Sequence, residues 1–99
     1  MLEYNKYGKI AYDKKMKKAV ALAYDHEQDN APVVVASGAG YVAERIIEIA
    51  DKANIPIYRD ETAAGLLAQL QLGQEIPYEL YEVIAEIFGY ILKTTKNLR

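Results

Sequence analysis

The chain has 99 residues, of which 52% are hydrophobic and 26% charged, with a formal net charge of −2 and no cysteine. This size and balance are typical of one globular domain, and the missing cysteine excludes disulfides, thiolate metal sites and a cysteine nucleophile. No apolar run reaches the ~18 residues that a membrane-spanning helix needs, and the first residues do not resemble a signal peptide. We therefore expect a cytoplasmic protein that does not insert into a membrane.

Charge is distributed unevenly along the chain. Residues 1–18 carry six lysines against two acids, whereas the rest of the chain has six basic and twelve acidic side chains. The sequence predicts a basic N-terminal arm or edge strand over residues 1–18, with 8–12 as the strand candidate, and a compact domain over 19–99. Such a basic end can face an acidic partner or a membrane surface, although a solvated arm is its ordinary role.

Two apolar runs, 19–24 and 31–38, are separated by a short polar segment and predict neighbouring strands. The three consecutive valines of the second run are typical of a strand that is buried on both faces.

Residues 38–54 predict a helix that begins after a glycine turn and stops at Asn54. Its apolar residues fall at spacings of one, three and four, which places them along one side of the helix. They are Val42, Ala43, Ile46, Ile49, Ala50 and Ala53. Residues 55–60 then return as a strand, so that strand, helix and strand form a βαβ unit with parallel strands.

Asp60 is a candidate N-cap for a further helix over 61–71 that ends at Gly73, and Pro77 is well placed in the first turn of a long final helix. The sequence therefore predicts an α/β fold: a small mixed β-sheet of three to four strands, with a βαβ unit, packed against about three helices.

The segment Gly38-Ala39-Gly40-Tyr41-Val42-Ala43 matches the G-x-G-x-x-G/A pattern of dinucleotide-binding turns, and Asp60 lies twenty residues after Gly40. In such a site the phosphates lie at the helix N-terminus and the acid binds the ribose. A single βαβ unit lacks the second half that encloses the cofactor, and these glycines can equally serve a strand-to-helix turn. Nucleotide binding is therefore the alternative function.

Other chemistry has little support in the sequence. The single histidine, His26, lies in a polar turn with three acids, which is a poor arrangement for a metal site. Nine tyrosines suit interfaces, but stacking on RNA needs a basic surface, and the chain is acidic after residue 18. We expect no metal, no cofactor and no nucleic-acid partner.

From residue 19 onward the sequence resembles the cytoplasmic C-terminal domain of the FlhB/YscU family, the substrate-specificity switch of flagellar and type III secretion export. The resemblance rests on AVALAYD (19–25), APVVVASG (31–38), VAERIIEIADKANIPI (42–57) and LGQEIPYELYEVIAEIFGYI (72–91). Members of this family carry the domain behind membrane helices, so this chain is similar to the free-standing proteins that contain the domain alone.

In this family the domain cleaves itself within an Asn-Pro-Thr-His tetrapeptide, in which the asparagine amide attacks its own backbone carbonyl. The matching positions here are Lys14, Lys15, Met16 and Lys17. The three prolines of the chain follow Ala31, Ile55 and Ile76, so no Asn-Pro pair is present. The resemblance therefore implies a protein that is not an enzyme and does not cleave itself.

The resemblance also implies binding partners and a binding site. Export-gate proteins and export substrates are the expected partners, at the cytoplasmic face of the membrane. A substrate-peptide patch of the family maps onto Ala31, Pro32, Ala63 and Leu66. We expect a non-catalytic interaction domain that substitutes for the FlhB cytoplasmic domain or modulates it.

Overall fold

The structure is a computed structural model that describes residues 8–24 and 31–87. It contains four strands: β1 (Lys9–Asp13), β2 (Lys18–Ala23), β3 (Val33–Ala39) and β4 (Ile57–Arg59). Helix α1 spans Tyr41–Lys52 and helix α2 spans Glu61–Leu67. A 3₁₀ turn at Tyr78–Leu80 leads into helix α3, residues 81–87.

The strands form one mixed sheet in the order β3-β2-β1-β4. The β1–β2 and β2–β3 pairs are antiparallel, whereas β1 and β4 are parallel. This arrangement confirms the predicted α/β fold with a small mixed sheet and three helical segments on its faces. It also confirms that the runs at 19–24 and 31–38 are neighbouring strands.

Strand β1 corrects the prediction of an arm or edge strand at the N-terminal end, because it lies between β2 and β4. All five of its residues are buried, including Lys9 and Asp13. Burial lowers the pKa of Lys9, since desolvation penalises its charged form. Residues 1–7 lie outside the described part of the chain.

Strands β3 and β4 run in the same direction, as the predicted βαβ unit requires, but β2 and β1 lie between them. The connection through α1 therefore crosses over two strands. The chain supplies the parallel neighbour of β4 from its N-terminal part, which local pattern does not reveal.

The two faces of the sheet are covered by different helices. One core cluster joins Ile10, Tyr12, Ala19 and Ala21 of the sheet to α1. The other joins Ala11, Val20, Leu22 and Val34 to α2, Ile76 and α3. The alternation along β1 and β2 explains this division, because successive side chains of a strand point to opposite faces.

Helix α1 ends as its sequence predicts. Asn54 has φ +60, and the N–H of Ile55 donates to the carbonyl of Ala50 at 2.9 Å, which is a Schellman arrangement. Helix α2 is shorter than predicted, since it ends at Leu67 and its C-cap is Ala68. Gly73 has φ +84 and turns the chain after this point.

Candidate functional site

Lys14, Lys15, Met16 and Lys17 form the exposed turn between β1 and β2. This is the position that sequence resemblance matched to the self-cleaving loop. The buried carboxylate of Asp13 accepts a hydrogen bond from the Met16 N–H at 3.1 Å and thereby shapes the turn. Met16 itself is 60% exposed.

Lys17 ties this turn to the start of α1. Its backbone has φ +53, and its carbonyl accepts a hydrogen bond from the Gly40 N–H at 2.8 Å. Its ammonium group lies 3.0 Å from the Glu44 carboxylate. This hydrogen bond, together with the charge of Glu44, raises the pKa of Lys17.

The glycines of the dinucleotide-like segment have structural roles. A Cβ on Gly38 would lie 2.7 Å from the Cβ of Val42, so only glycine allows α1 to pack this closely on β3. Gly40 has φ +60 and ψ −126, a conformation that side chains disfavour. Its N–H is already bonded to Lys17, and Glu44 places a negative charge in the first turn of α1.

The side chain of Asp60 also has a structural role. Its carboxylate accepts a hydrogen bond from the Ala63 N–H at 2.9 Å and caps α2, as the sequence predicts for an N-cap. Because β3 and β4 are not neighbours, Gly40 and Asp60 do not flank the crevice between adjacent parallel strands in which dinucleotides bind. The nucleotide-binding alternative is therefore not supported.

Three of the four predicted patch residues are buried. Ala31 and Ala63 are each 3% exposed, Pro32 is buried, and Leu66 is 36% exposed. The carbonyl of Pro32 accepts a hydrogen bond from the N–H of Ile76 at 2.8 Å, and Ile76 shares a core cluster with Ala63. Leu66 lies about one turn after Ala63 on α2 and is the most exposed of the four patch residues.

A segment that the sequence analysis did not place lies along the first half of β3. The Gly73 N–H donates to the carbonyl of Val34 at 2.8 Å, and the Val34 N–H donates to the carbonyl of Gln74 at 3.0 Å. Glu75 forms a bridge with Val33 in antiparallel orientation. Residues 73–76 therefore act as a short cover strand that holds the start of β3. A three-residue ladder has no periodicity by which sequence could identify it.

Next to this cover strand the surface is aromatic and acidic. The rings of Tyr78 and Tyr81 have centroids 5.3 Å apart, and Tyr78 is 80% exposed. Leu72 is 69% exposed. Exposed glutamates, Glu75, Glu79 and Glu82, alternate with these residues in the sequence. Tyr78 and Tyr81 are two of the nine tyrosines that the sequence analysis considered suitable for an interface.

Within residues 8–24 and 31–87, no group of acidic or histidine side chains is arranged to hold a metal ion. His26 lies outside the described residues. No helix in the described ranges has the length and apolar character to cross a membrane.

The fold is a four-stranded mixed sheet between one helix and a two-helix layer, closed by a cover strand on β3. This architecture, with a short turn between two central strands, defines a small α/β domain with a mixed sheet. Residues 16–91 match the sequence model of the FlhB HrpN YscU SpaS family. The chain belongs to this family, which contains the FlhB proteins of flagellar export.

Relatives of two lengths match the chain. YlqH of Bacillus subtilis, an uncharacterized protein, is 45% identical over 84 residues, which cover 85% of this chain and 90% of YlqH. The flagellar biosynthetic protein FlhB of Aquifex aeolicus is 42% identical over 81 residues, which cover 81% of this chain but 23% of FlhB. The chain thus spans about a quarter of that FlhB and most of YlqH.

Solved structures agree with this assignment. The cytoplasmic domain of FlhB from Shewanella putrefaciens superposes with a TM-score of 0.80 at 29% identity, covering 97% of this chain and 74% of that one. A mutated EscU C-terminal domain gives a TM-score of 0.79 at 24% identity, covering 90% of this chain and 89% of that one. At this lower identity the likeness concerns the fold alone.

Proposed function

We propose that the protein is a non-catalytic interaction domain of the flagellar or type III export apparatus, which substitutes for the FlhB cytoplasmic domain or modulates its specificity switch. The observation that carries this proposal is the match to the cytoplasmic domain of FlhB over nearly the whole of this chain. Its partners would be export-gate proteins and export substrates at the cytoplasmic face of the membrane.

The absence of self-cleavage is part of this proposal. Cleavage in the family requires the asparagine amide as nucleophile and the following proline, and no Asn-Pro pair occurs in the sequence. The turn at Lys14–Lys17 instead supplies ammonium groups, of which that of Lys17 is paired with Glu44. A protonated amine has no free electron pair with which to attack a carbonyl. The domain would therefore act as one uncut chain.

Substrate binding would be centred on Leu66. Because Ala31, Pro32 and Ala63 are buried, they would shape the surface beside α2, while the exposed part of Leu66 would contact the peptide. A short apolar segment fits such a surface, since its anchor side chains replace water against apolar groups.

An export assay tests this function. In cells whose FlhB lacks its cytoplasmic domain, the chain should restore or change export of flagellar or secreted substrates, and it should capture export components in pull-downs. Leu66→Asp should abolish the effect. Leu72→Asp is a matched control, because Leu72 is a more exposed leucine outside the patch.

Two results would contradict the proposal, the first in its export role and the second in its binding patch alone. If neither export nor its substrate specificity changes and no export component is captured, the protein does not act in this apparatus. If Leu66→Asp and Leu72→Asp both retain activity, the export role stands and the patch at Leu66 is wrong.

A further inference from the structure

The outer edge of β3 is covered along its first half only. Residues 73–76 pair with Val33 and Val34, and the cover ends at Gly73. Within the described ranges β3 is the last strand on its side of the sheet. Val35, Ser37 and Ala39 are exposed, so this part of the edge is open to solvent.

The direction of the backbone groups on this edge follows from the register. All four residues from Ala36 to Ala39 have register partners on β2, and the hydrogen bond from the Gly40 N–H to the carbonyl of Lys17 shows that the backbone groups of Gly40 face β2. Because backbone groups alternate in direction along a strand, those of Ser37 and Ala39 point away from β2. They form a short row of donors and acceptors at the open edge.

This edge lacks most of the features that prevent strands from pairing. Natural edges are usually protected by charged side chains, proline, bulges or a covering segment. The residues from Val35 to Ala39 include neither a charge nor a proline. The register shift opposite Ala21 and Leu22 leaves Val35 as an extra residue, and beyond it the strand is regular.

Helix α1 adds an apolar surface at the same edge. Val42 is 49% exposed and Ile49 is 54% exposed, although their spacing places them on the apolar side of the predicted helix. Both lie about 140° to 160° around the helix from Glu44. Since Glu44 contacts Lys17 of the β1–β2 turn, these two residues lie on the side of the outer edge of β3.

We propose that this surface, the outward groups of Ser37 and Ala39 with Val42 and Ile49, pairs with a second copy of the chain. The two β3 strands would run antiparallel about a two-fold axis perpendicular to the sheet. Their open backbone groups would form one ladder through two four-stranded sheets. The two α1 helices would then lie on the same face, with their exposed apolar residues in contact.

A second copy fits this edge better than an isolated strand does. A lone peptide would satisfy the backbone groups but would leave Val42 and Ile49 in water. A partner related by a two-fold axis covers both the backbone groups and the apolar residues, because each patch then contacts the same patch on the other copy. Charge on α1 opposes this pairing only weakly, because the guanidinium group of Arg45 is paired with the carboxylate of Glu48 on the same helix at 2.8 Å. The surface is small compared with the ~800 Å² per partner of a standard interface, so weak association is expected.

Sedimentation velocity of the full chain measures this association. From about 10 μM to about 1 mM, a range suited to a weak dimer, the average mass should rise from 11.1 kDa towards twice that value. Hydrogen exchange at the Ser37 and Ala39 amides should slow as concentration rises. Both Ser37→Pro and Ile49→Lys should weaken association about tenfold or more, since one removes an outward donor and the other places a charge in the apolar contact.

Met16→Lys is the matched control, because it also replaces an exposed apolar side chain by lysine but lies in the β1–β2 turn. It should dimerise as the unchanged protein does, and circular dichroism should show that all three variants are folded. A chain that stays monomeric throughout this range overturns the proposal. So does a dimer that tolerates both Ser37→Pro and Ile49→Lys, or protection of Ser37 and Ala39 that appears only with another protein.

Discussion

The carboxylate of Asp60 lies 2.9 Å from the backbone nitrogen of Ala63 and accepts its hydrogen bond at the start of α2. This contact satisfies an N–H that would otherwise lack a partner in the first turn. Asp60→Ala should therefore lower the free energy of unfolding by about 1 kcal/mol, whereas Asp60→Asn should retain most of it. Urea denaturation measures both values. Equal stability of the alanine variant and the unchanged protein would contradict the capping role.

Three glycines should respond differently to substitution by alanine. Gly38→Ala should destabilise the protein by about 1–3 kcal/mol, because the new Cβ would collide with Val42. Gly40→Ala meets no atom within 4 Å, but the combination of φ +60 with ψ −126 should still cost at least about 1 kcal/mol. Gly65→Ala has open space inside α2 and should stabilise by about 0.5–1 kcal/mol.

Thermal or urea unfolding of the three alanine variants measures these changes in the free energy of unfolding and ranks them. The comparison also separates a packing role from a ligand-binding role for Gly38 and Gly40. If both variants keep their stability and lose binding to a nucleotide, the structural account of this turn is wrong.

Substitution of the two adjacent leucines on α2 should have different effects, one on stability and the other on export activity. Leu67 has no exposed surface and belongs to the core cluster, so Leu67→Ala should destabilise by about 2–5 kcal/mol. Leu66→Ala should leave stability within about 1 kcal/mol, since its side chain is partly in solvent. The same Leu66→Ala protein should lose export activity. Denaturation curves and the export assay together check this separation.

The ion pair of Lys17 and Glu44 should make stability depend on pH at the alkaline end. The pair raises the pKa of Lys17 in the folded state, so its contribution is complete below the ordinary lysine value of 10.5. It is lost as pH rises through the raised pKa. Between pH 9 and pH 12, in a window around this pKa, the Tm should therefore fall more for the unchanged protein than for Glu44→Gln. Parallel curves for the two proteins would contradict the prediction.

Local chemistry explains why several elements were correctly predicted from sequence. Asp60 caps α2, Asn54 ends α1, and the apolar runs around Val20 and Val34 form neighbouring strands. For the two helix ends the deciding interaction is with a residue three to five positions away, and for the strands it is with the next strand in the chain. Capping, turn and strand patterns are therefore readable without tertiary information.

The misplaced elements depend on contacts between distant parts of the chain. Residues 1–18 were predicted to form a basic arm or an edge strand, yet β1 pairs with both β2 and β4, which makes it an inner strand and buries Lys9. The apolar spacing of α1 included Val42 and Ile49, but α1 rests over the edge strand, and part of its apolar face extends beyond the sheet. For the predicted patch, the apolar spacing of Ala63 and Leu66 in the predicted helix already favoured a core position, and the structure buries Ala31 and Ala63 at 3% exposure each.

The β1–β2 turn offers a direct test of why the chain would stay uncut. Replacing Lys14, Lys15, Met16 and Lys17 by Asn, Pro, Thr and His rebuilds the family tetrapeptide between the same two strands. We expect the rebuilt turn to cleave after residue 14, and intact-mass spectrometry should show two fragments. They should still co-elute in native chromatography, because β1 pairs with both β2 and β4.

The matched control for the rebuilt turn keeps proline, threonine and histidine but places alanine at position 14. It should remain intact, because it lacks the side-chain amide that attacks the backbone carbonyl. Cleavage of this control, or of the unchanged chain, would show that another group can act as the nucleophile. An uncut asparagine variant that is nevertheless folded would instead mean that the geometry of this turn, in which Lys17 has φ +53 and is fixed to Gly40, prevents the reaction.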